Sequence, residues 1–317
     1  MRTLMYVYLR CAIAVVLLLP AGAKPTEGQG LPTIRVATTP NDSGASVFYA
    51  LEMGFFKKAG VNVEIVRVNS AGLIGSSVAS GSIDVGQTGI SVLAAAHERG
   101  LPFVLIAPAG LYSSKTPTSA LVVMKNAPLR TAADLDGKTV GLRDINSPAY
   151  VAARAWIDQN GGDSKTVRFV EMPDSAAAAA LLAGRVDAAS IAEPDLEDAL
   201  RHPELRLFAY SYNAIANQFL LGGYFTTKDY AAAHPDLVRA FASAIAEAGR
   251  WANRNHAKSA EILEKYTKAQ VTPTMPRVTY ADRLTPALVQ PLIDAAARYG
   301  VLKTAFPATE LFGPSGR

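Results

Sequence analysis

The feature that most limits how this chain can fold is an order of elements written twice. After Pro32, Ile34-Arg35-Val36-Ala37 alternates as a short strand and residues 38–44 carry turn chemistry. Val47, Ala50, Leu51 and Gly54 then fall at i, i+3, i+4 and i+7 on one helix face. Residues 61–68 read as a second strand, and a helix over 74–79 stops at Gly81. Ile83-Asp84-Val85-Gly86 opens a third strand, and a helix over 92–99 ends at Gly100. The order then returns, with a strand over 138–142 and a helix opened by Ser147-Pro148, a cap followed by proline at the first helical position. Asn160-Gly161-Gly162 ends that helix; a strand over 167–172 and a helix over 176–180 stopped by Gly184 follow. The closest echo sets Ser80-Gly81-Ser82-Ile83-Asp84-Val85-Gly86 beside Ala183-Gly184-Arg185-Val186-Asp187-Ala188-Ala189. Two such units predict two α/β lobes, each a mostly parallel sheet with helices on both faces. The expected lobes are 32–115 and 116–217, with 218–317 returning to the first. A strand over 218–225 opens the return, and helices over 235–256, 257–266 and 286–299 follow. Crossovers near 108–120 and 208–222 form a hinge, with Gly222 and Gly223 as its pivots.

The first residues have a separate logic. Arg2 and Arg10 flank a short start, residues 12–19 are apolar, and Pro20-Ala21-Gly22-Ala23 follows. This is the layout of a cleaved secretory signal over 1–23. The apolar run falls well short of the roughly 20 residues a membrane-spanning helix needs. The single cysteine, Cys11, lies inside that segment, so the exported chain has no disulfide, thiol nucleophile or thiolate metal ligand. Without Arg2 and Arg10 the excess of basic over acidic residues falls from +4 to +2. That is too weak an excess to argue for nucleic acid, and no Lys/Arg cluster is interleaved with aromatics.

With this layout in hand, the chain resembles the nitrate/sulfonate/taurine-type substrate-binding proteins of ABC importers. The resemblance is carried by residues 50–64, around Gly54-Phe55-Phe56 and Gly60-Val61-Asn62-Val63, and by residues 79–86. Residues 133–141, 184–189 and His234-Pro235-Asp236-Leu237-Val238 carry it further, in the right order. It implies a type II periplasmic-binding-protein fold: two βαβ lobes, a hinge and a central ligand cleft. It also implies a monomer that captures a small molecule, closes on it and presents it to a membrane permease, without cofactor, metal or catalysis. The thiamine-pyrimidine synthases are similar too, but their cysteine-rich motif is missing here. The alternatives are binding of a thiamine-pyrimidine precursor, a synthase-like enzyme, or a receptor-docking protein that feeds a sensor.

Open α/β sheets bind ligands beyond the carboxyl ends of their strands, which names the candidate site residues. The first lobe offers Thr38, Thr39, Asn41 and Ser43, then Asn69, Ser70 and Ala71, then Gln87, Thr88 and Gly89. The second offers Asn146, Ser147 and Tyr150, the loop from Pro173 to Ser175, and Glu193 with Pro194. Each has a plainer reading. Ser43 and Ser147 could simply cap helices, Thr88 could begin one, and Glu193 could be a solvated turn residue. Tyr150, Tyr210 and Tyr212 could be packing aromatics. Arg143 could pair with Asp144 or Asp42, or hold an anion. Asp84 and Asp187 match in the repeat, which favours a structural role in both lobes. His97, His202, His234 and His256 have no metal-type spacing, and no nucleophile elbow or phosphate loop is present. The expected solute is a small organic anion, a sulfonate or carboxylate, held at the helix starts after Ser43 and Ser147.

Overall fold

The computed structural model describes residues 30–68, 70–272 and 274–313. The expected signal over 1–23 and Asn69 therefore lie outside the described residues. The chain runs β1 (Thr33–Thr38), α1 (Ser46–Glu52), the one-turn α2 (Phe55–Lys58), β2 (Asn62–Arg67), α3 (Ala71–Ala79), β3 (Val85–Gly89), α4 (Ile90–Glu98) and β4 (Phe103–Pro108). It passes through β5 (Gly110–Ser113) into β6 (Ser119–Met124). The order then repeats as β7 (Thr139–Leu142), α5 (Pro148–Gln159), β8 (Arg168–Glu171), α6 (Asp174–Leu182), β9 (Ala188–Ala192), α7 (Asp195–Leu200) and β10 (Leu205–Ala209). The return goes through β11 (Gln218–Leu220) and β12 (Gly222–Thr227). The tail holds α8 (Lys228–Ala233), α9 (Pro235–Ala252), α10 (His256–Thr267), β13 (Thr279–Tyr280) and α11 (Pro286–Arg298).

The repeated order becomes two matching sheets, β2-β1-β3-β12-β4 and β8-β7-β9-β6-β10. In each, the first strand pairs in parallel with the second and third. One strand of opposite direction lies between the third and the last, β12 in one sheet and β6 in the other. The matched aspartates do the same structural job in both. Asp84 accepts the Arg35 N–H at 2.7 Å, and Asp187 accepts the Thr139 N–H at 2.8 Å. Each carboxylate thereby ties the approach to the third strand onto the first strand of its sheet. The helix-ending glycines also agree, with φ of +74° at Gly81 and +65° at Gly184, where another residue would be strained.

Strand β6 shows why the second sheet is covered on both faces. Ala120 and Val122 pack on one side with Leu181 and Leu196, while Leu121 and Val123 pack on the other with Val140 and Ile157. The tail packs on the first sheet's helices. Val238, Phe241, Ile245 and Ala248 recur at helical spacing along α9, and Phe241 stacks on Phe56 with ring centroids 5.4 Å apart. Burying one such ring contributes about 1.5–3 kcal/mol. From Leu31 onward the chain forms one compact unit.

Two expectations need correction. The strand predicted over 218–225 is broken at Leu221, because β11 pairs with β5 while β12 pairs with β3 and β4. Gly222 and Gly223 are not pivots but members of β12. A β carbon on Gly222 would lie 2.5 Å from the Thr88 carbonyl oxygen, and one on Gly223 would lie 2.5 Å from Leu105. These glycines permit close strand packing. The crossovers instead run through a small third sheet, β11-β5-β13, which pairs the outgoing and returning segments with each other.

Candidate functional site

The carboxyl ends of β1, β3, β7 and β9 face a common cleft of about 870 Å³, open solvent at its mouth included. Of the residues named from sequence, Thr39, Asn41, Ser43, Ala71, Gln87, Thr88, Gly89, Ser147, Asp174 and Glu193 line it together. Thr38 lies behind the wall, its hydroxyl 3.3 Å from Gln87 Oε1. Ser70 caps α3 by position without a side-chain bond, and Asn146 serves through its backbone; neither lines the cleft. Tyr150 is also outside the lining. Its ring meets Phe169 edge-on and its hydroxyl accepts from Arg154. The aromatic residue at the wall is Tyr212, while Tyr210 is exposed.

Several wall residues escaped the sequence reading. Thr118 and Ser119 enter from the amino end of β6, as Leu221 and Gly222 do from that of β12. A strand of opposite direction brings its first residues to the place where parallel strands bring their last. The available signal was the polar pair Thr118-Ser119 immediately before the apolar run 120–123.

The hydroxyls here are unevenly partnered. Ser119 donates to the Ile191 carbonyl at 3.1 Å, and Ser147 accepts the Tyr150 N–H at 3.3 Å while also facing the cleft. Thr88 Oγ1 and Ser190 Oγ are buried with no hydrogen-bond partner among the described residues. They stand on β3 and β9, the third strand of each parallel set, so each sheet contributes one orphan hydroxyl to the same wall.

The charges are largely internal. Asp42 accepts from Arg277 Nε at 2.9 Å and Nη2 at 2.7 Å, and from the Val278 N–H at 2.8 Å. Arg143, left open by the sequence between pairing with Asp144 or Asp42 and holding an anion, pairs with Asp174, because α6 starts with Asp174 beside it and Asp42 is already taken. Burial pushes the Glu193 carboxyl up to about 7; the Glu197 N–H it accepts works against this, and the charges of Glu197, Asp42 and Asp195 add to it. Burial also lifts Asp195 to about 6 and raises Asp144.

The expected anion site at two helix starts is not assembled at the first. Helix α1 begins only at Ser46, after Ala45, and Tyr224 Oη takes the Val47 N–H at 3.1 Å and meets Ser46 Oγ at 2.9 Å. Ser43 therefore caps no helix. At the second start, Pro148 has no N–H and the Tyr150 N–H is taken by Ser147. Thr88 does not begin a helix either; it is the penultimate residue of β3, and Gly89 occupies the cap of α4.

The two rims of the cleft touch. Asp144 Oδ1 accepts the Ala71 N–H at 3.2 Å, so a carboxylate beside the second sheet caps α3 beside the first. Ser91 donates to the Asn146 carbonyl at 2.6 Å. A β carbon on Gly89 would lie 2.5 Å from Pro148 Cδ. Gly89→Ala should therefore wedge the rims apart without straining its own backbone, whose φ is −68°. Overpacking of this kind costs about 1–3 kcal/mol, so the Ala71 amide should exchange with solvent about ten- to a hundredfold faster. Exchange at the parent rate would mean that Gly89 is not a closure contact.

Comparison with known proteins agrees with this geometry. The taurine-binding periplasmic protein of Escherichia coli (strain K12) is 27% identical over 197 residues, 61% of this chain and 58% of that protein. The chain thus spans under two thirds of that relative's length. The crystal structure of the periplasmic aliphatic sulphonate binding protein of Escherichia coli superimposes with a TM-score of 0.70 at 19% identity, over 90% of this chain and 98% of that one. The desulfurization enzyme DSZB does so with a TM-score of 0.66 at 15% identity, over 89% and 96%. At such identities the likeness shows a shared fold, the type II periplasmic-binding-protein fold, on which both binding proteins and an enzyme are built. The NMT1/THI5-like pattern matches residues 41–258, more than half of the chain, and the chain belongs to the NMT1/THI5-like family.

Proposed function

We propose that this protein is an extracytoplasmic solute receptor: it captures a small organic molecule in the cleft, closes on it as a monomer and delivers it to the permease of an ABC importer, with no reaction of its own. The observation that carries this reading is the pair of orphan hydroxyls, Thr88 and Ser190, offered by opposite sheets to one buried wall. A buried hydroxyl without a partner costs about 1–3 kcal/mol, and a bound polar solute repays that cost. The rim contacts support a closing motion, since they join the starts of α3 and α4 beside the first sheet to the loop after β7 of the second. The family relationship supports the transport role.

The test begins with a thermal-shift screen of small polar solutes, including sulfonates, carboxylates, amines and pyrimidines. A solute present at a hundredfold excess over its dissociation constant stabilises the fold by about 2.7 kcal/mol. Thr88→Val should keep or raise the melting temperature of the unliganded protein while weakening the best solute about tenfold. Small-angle scattering on the same solute should show the radius of gyration falling as the cleft closes. A Thr88→Val variant that binds normally, or an unchanged radius at saturation, would count against the receptor reading.

A further inference from the structure

The cleft wall carries more negative than positive charge, and the arginines nearest to it are already engaged. Asp42, Asp144, Asp174 and Glu193 line the space against a single lining base, Arg143. Arg143 is held by Asp174, and Arg277 by Asp42. Asp144 and Glu193 are left without an ion pair among the described residues. Asp144 spends one oxygen on the Ala71 N–H. Glu193 is only 5% exposed; its Oε2 accepts the Glu197 N–H at 3.0 Å, and no donor among the described residues reaches its other oxygen. A buried carboxylate matched this poorly is costly when ionised unless a cation or further donors join it. A second observation points into the same space. The hydroxyls of Thr88 and Ser190, in residues 6% and 3% exposed, have no partner among the described residues on that wall.

We infer that the captured solute carries a cationic nitrogen, a protonated amine or amidinium, seated against Glu193, with Thr88 and Ser190 bonding to its polar remainder. This rests on the receptor reading and adds the charge of the cargo. A cationic N–H group both fills the open carboxylate oxygen and offsets its charge. A sulfonate or carboxylate at the same place would set two anions side by side where little water can screen them.

The experiment measures the melting temperature of the purified protein with millimolar methylammonium, acetamidinium or methanesulfonate at matched ionic strength. Methylammonium or acetamidinium is expected to raise it, and methanesulfonate is not. Glu193→Gln, which keeps an acceptor for the Glu197 N–H, should weaken the stabilising cation about tenfold or more. Stabilisation by methanesulfonate alone overturns the inference. So does a cation effect that Glu193→Gln leaves intact, or the absence of any effect from both cations. A solute from the wider screen that closes the cleft without a cationic nitrogen sinks this inference and leaves the receptor reading standing.

Discussion

Arg277→Met, which removes the partner of the wall carboxylate Asp42, should cost the unliganded protein about 3–5 kcal/mol. The Asp42 and Arg277 side chains are 2% and 8% exposed, and the guanidinium supplies two of the donors that hold the carboxylate. Removing it leaves a buried charge held by the Val278 N–H at 2.8 Å, with the Tyr280 hydroxyl 3.4 Å from the carboxylate and donating mainly to the Asp42 backbone carbonyl. Arg277 also donates to Tyr49 Oη at 2.6 Å, so a second buried oxygen loses its donor. Adding Asp42→Asn to the variant should recover much of the loss, since the expense lies in the unmatched charge more than in the missing contact. Denaturant unfolding of the two single variants and the double variant checks this. A single-variant loss below about 1 kcal/mol would be typical of an exposed pair and would show that the carboxylate finds other partners.

Glu193→Gln should change stability in a way that depends on pH. Glu193 holds its proton in the fold up to about 7, against an ordinary 4.5. Between those values the unfolded chain has released the proton while the native protein keeps it. The native state then binds more protons, so stability from this group is full below 4.5 and is lost as pH rises toward 7. Above 7 the ionised carboxylate persists in a buried site, at a cost of about 3 kcal/mol. Glutamine has no such proton to lose. The variant should match the parent near pH 4 and exceed it by about 3 kcal/mol at pH 8. The neighbouring carboxyls that burial raises, Asp144 and Asp195, are present in both proteins and largely cancel in the difference. Equal differences at the two pH values would mean that Glu193 is well solvated.

Much of this architecture was legible because it is written locally. Alternation marked β1 and β2, and glycines marked the ends of α3 and α6, where the backbone needs a positive φ. Ser147-Pro148 marked the start of α5 to the residue. Thr88, Ser147 and Glu193 could be named because the carboxyl ends of parallel strands converge by topology alone. What remained hidden depends on partners far apart in sequence. Arg277 reaches Asp42 from the tail, and Tyr224 seals the start of α1 from β12. Tyr150, which the sequence leaves open between covering a ligand and packing, is set over Phe169 and β8. No local pattern distinguishes those two directions.

The matched sheets are completed at different times as the chain is made. The second draws β6 to β10 from one continuous stretch, so every strand it needs arrives in succession. The first has β1 to β4 early, but the place between β3 and β4 belongs to β12, which follows the whole of the second sheet. Until residues 222–227 are synthesised, β3 and β4 each keep a row of unpaired backbone groups on the sides that will meet there. Such edges recruit stray strands and invite aggregation. Closing so long a loop is also slow compared with pairing neighbours in sequence. The nascent protein thus passes through an interval with its second half formed and its first half open, the stage at which a chaperone has most to shield.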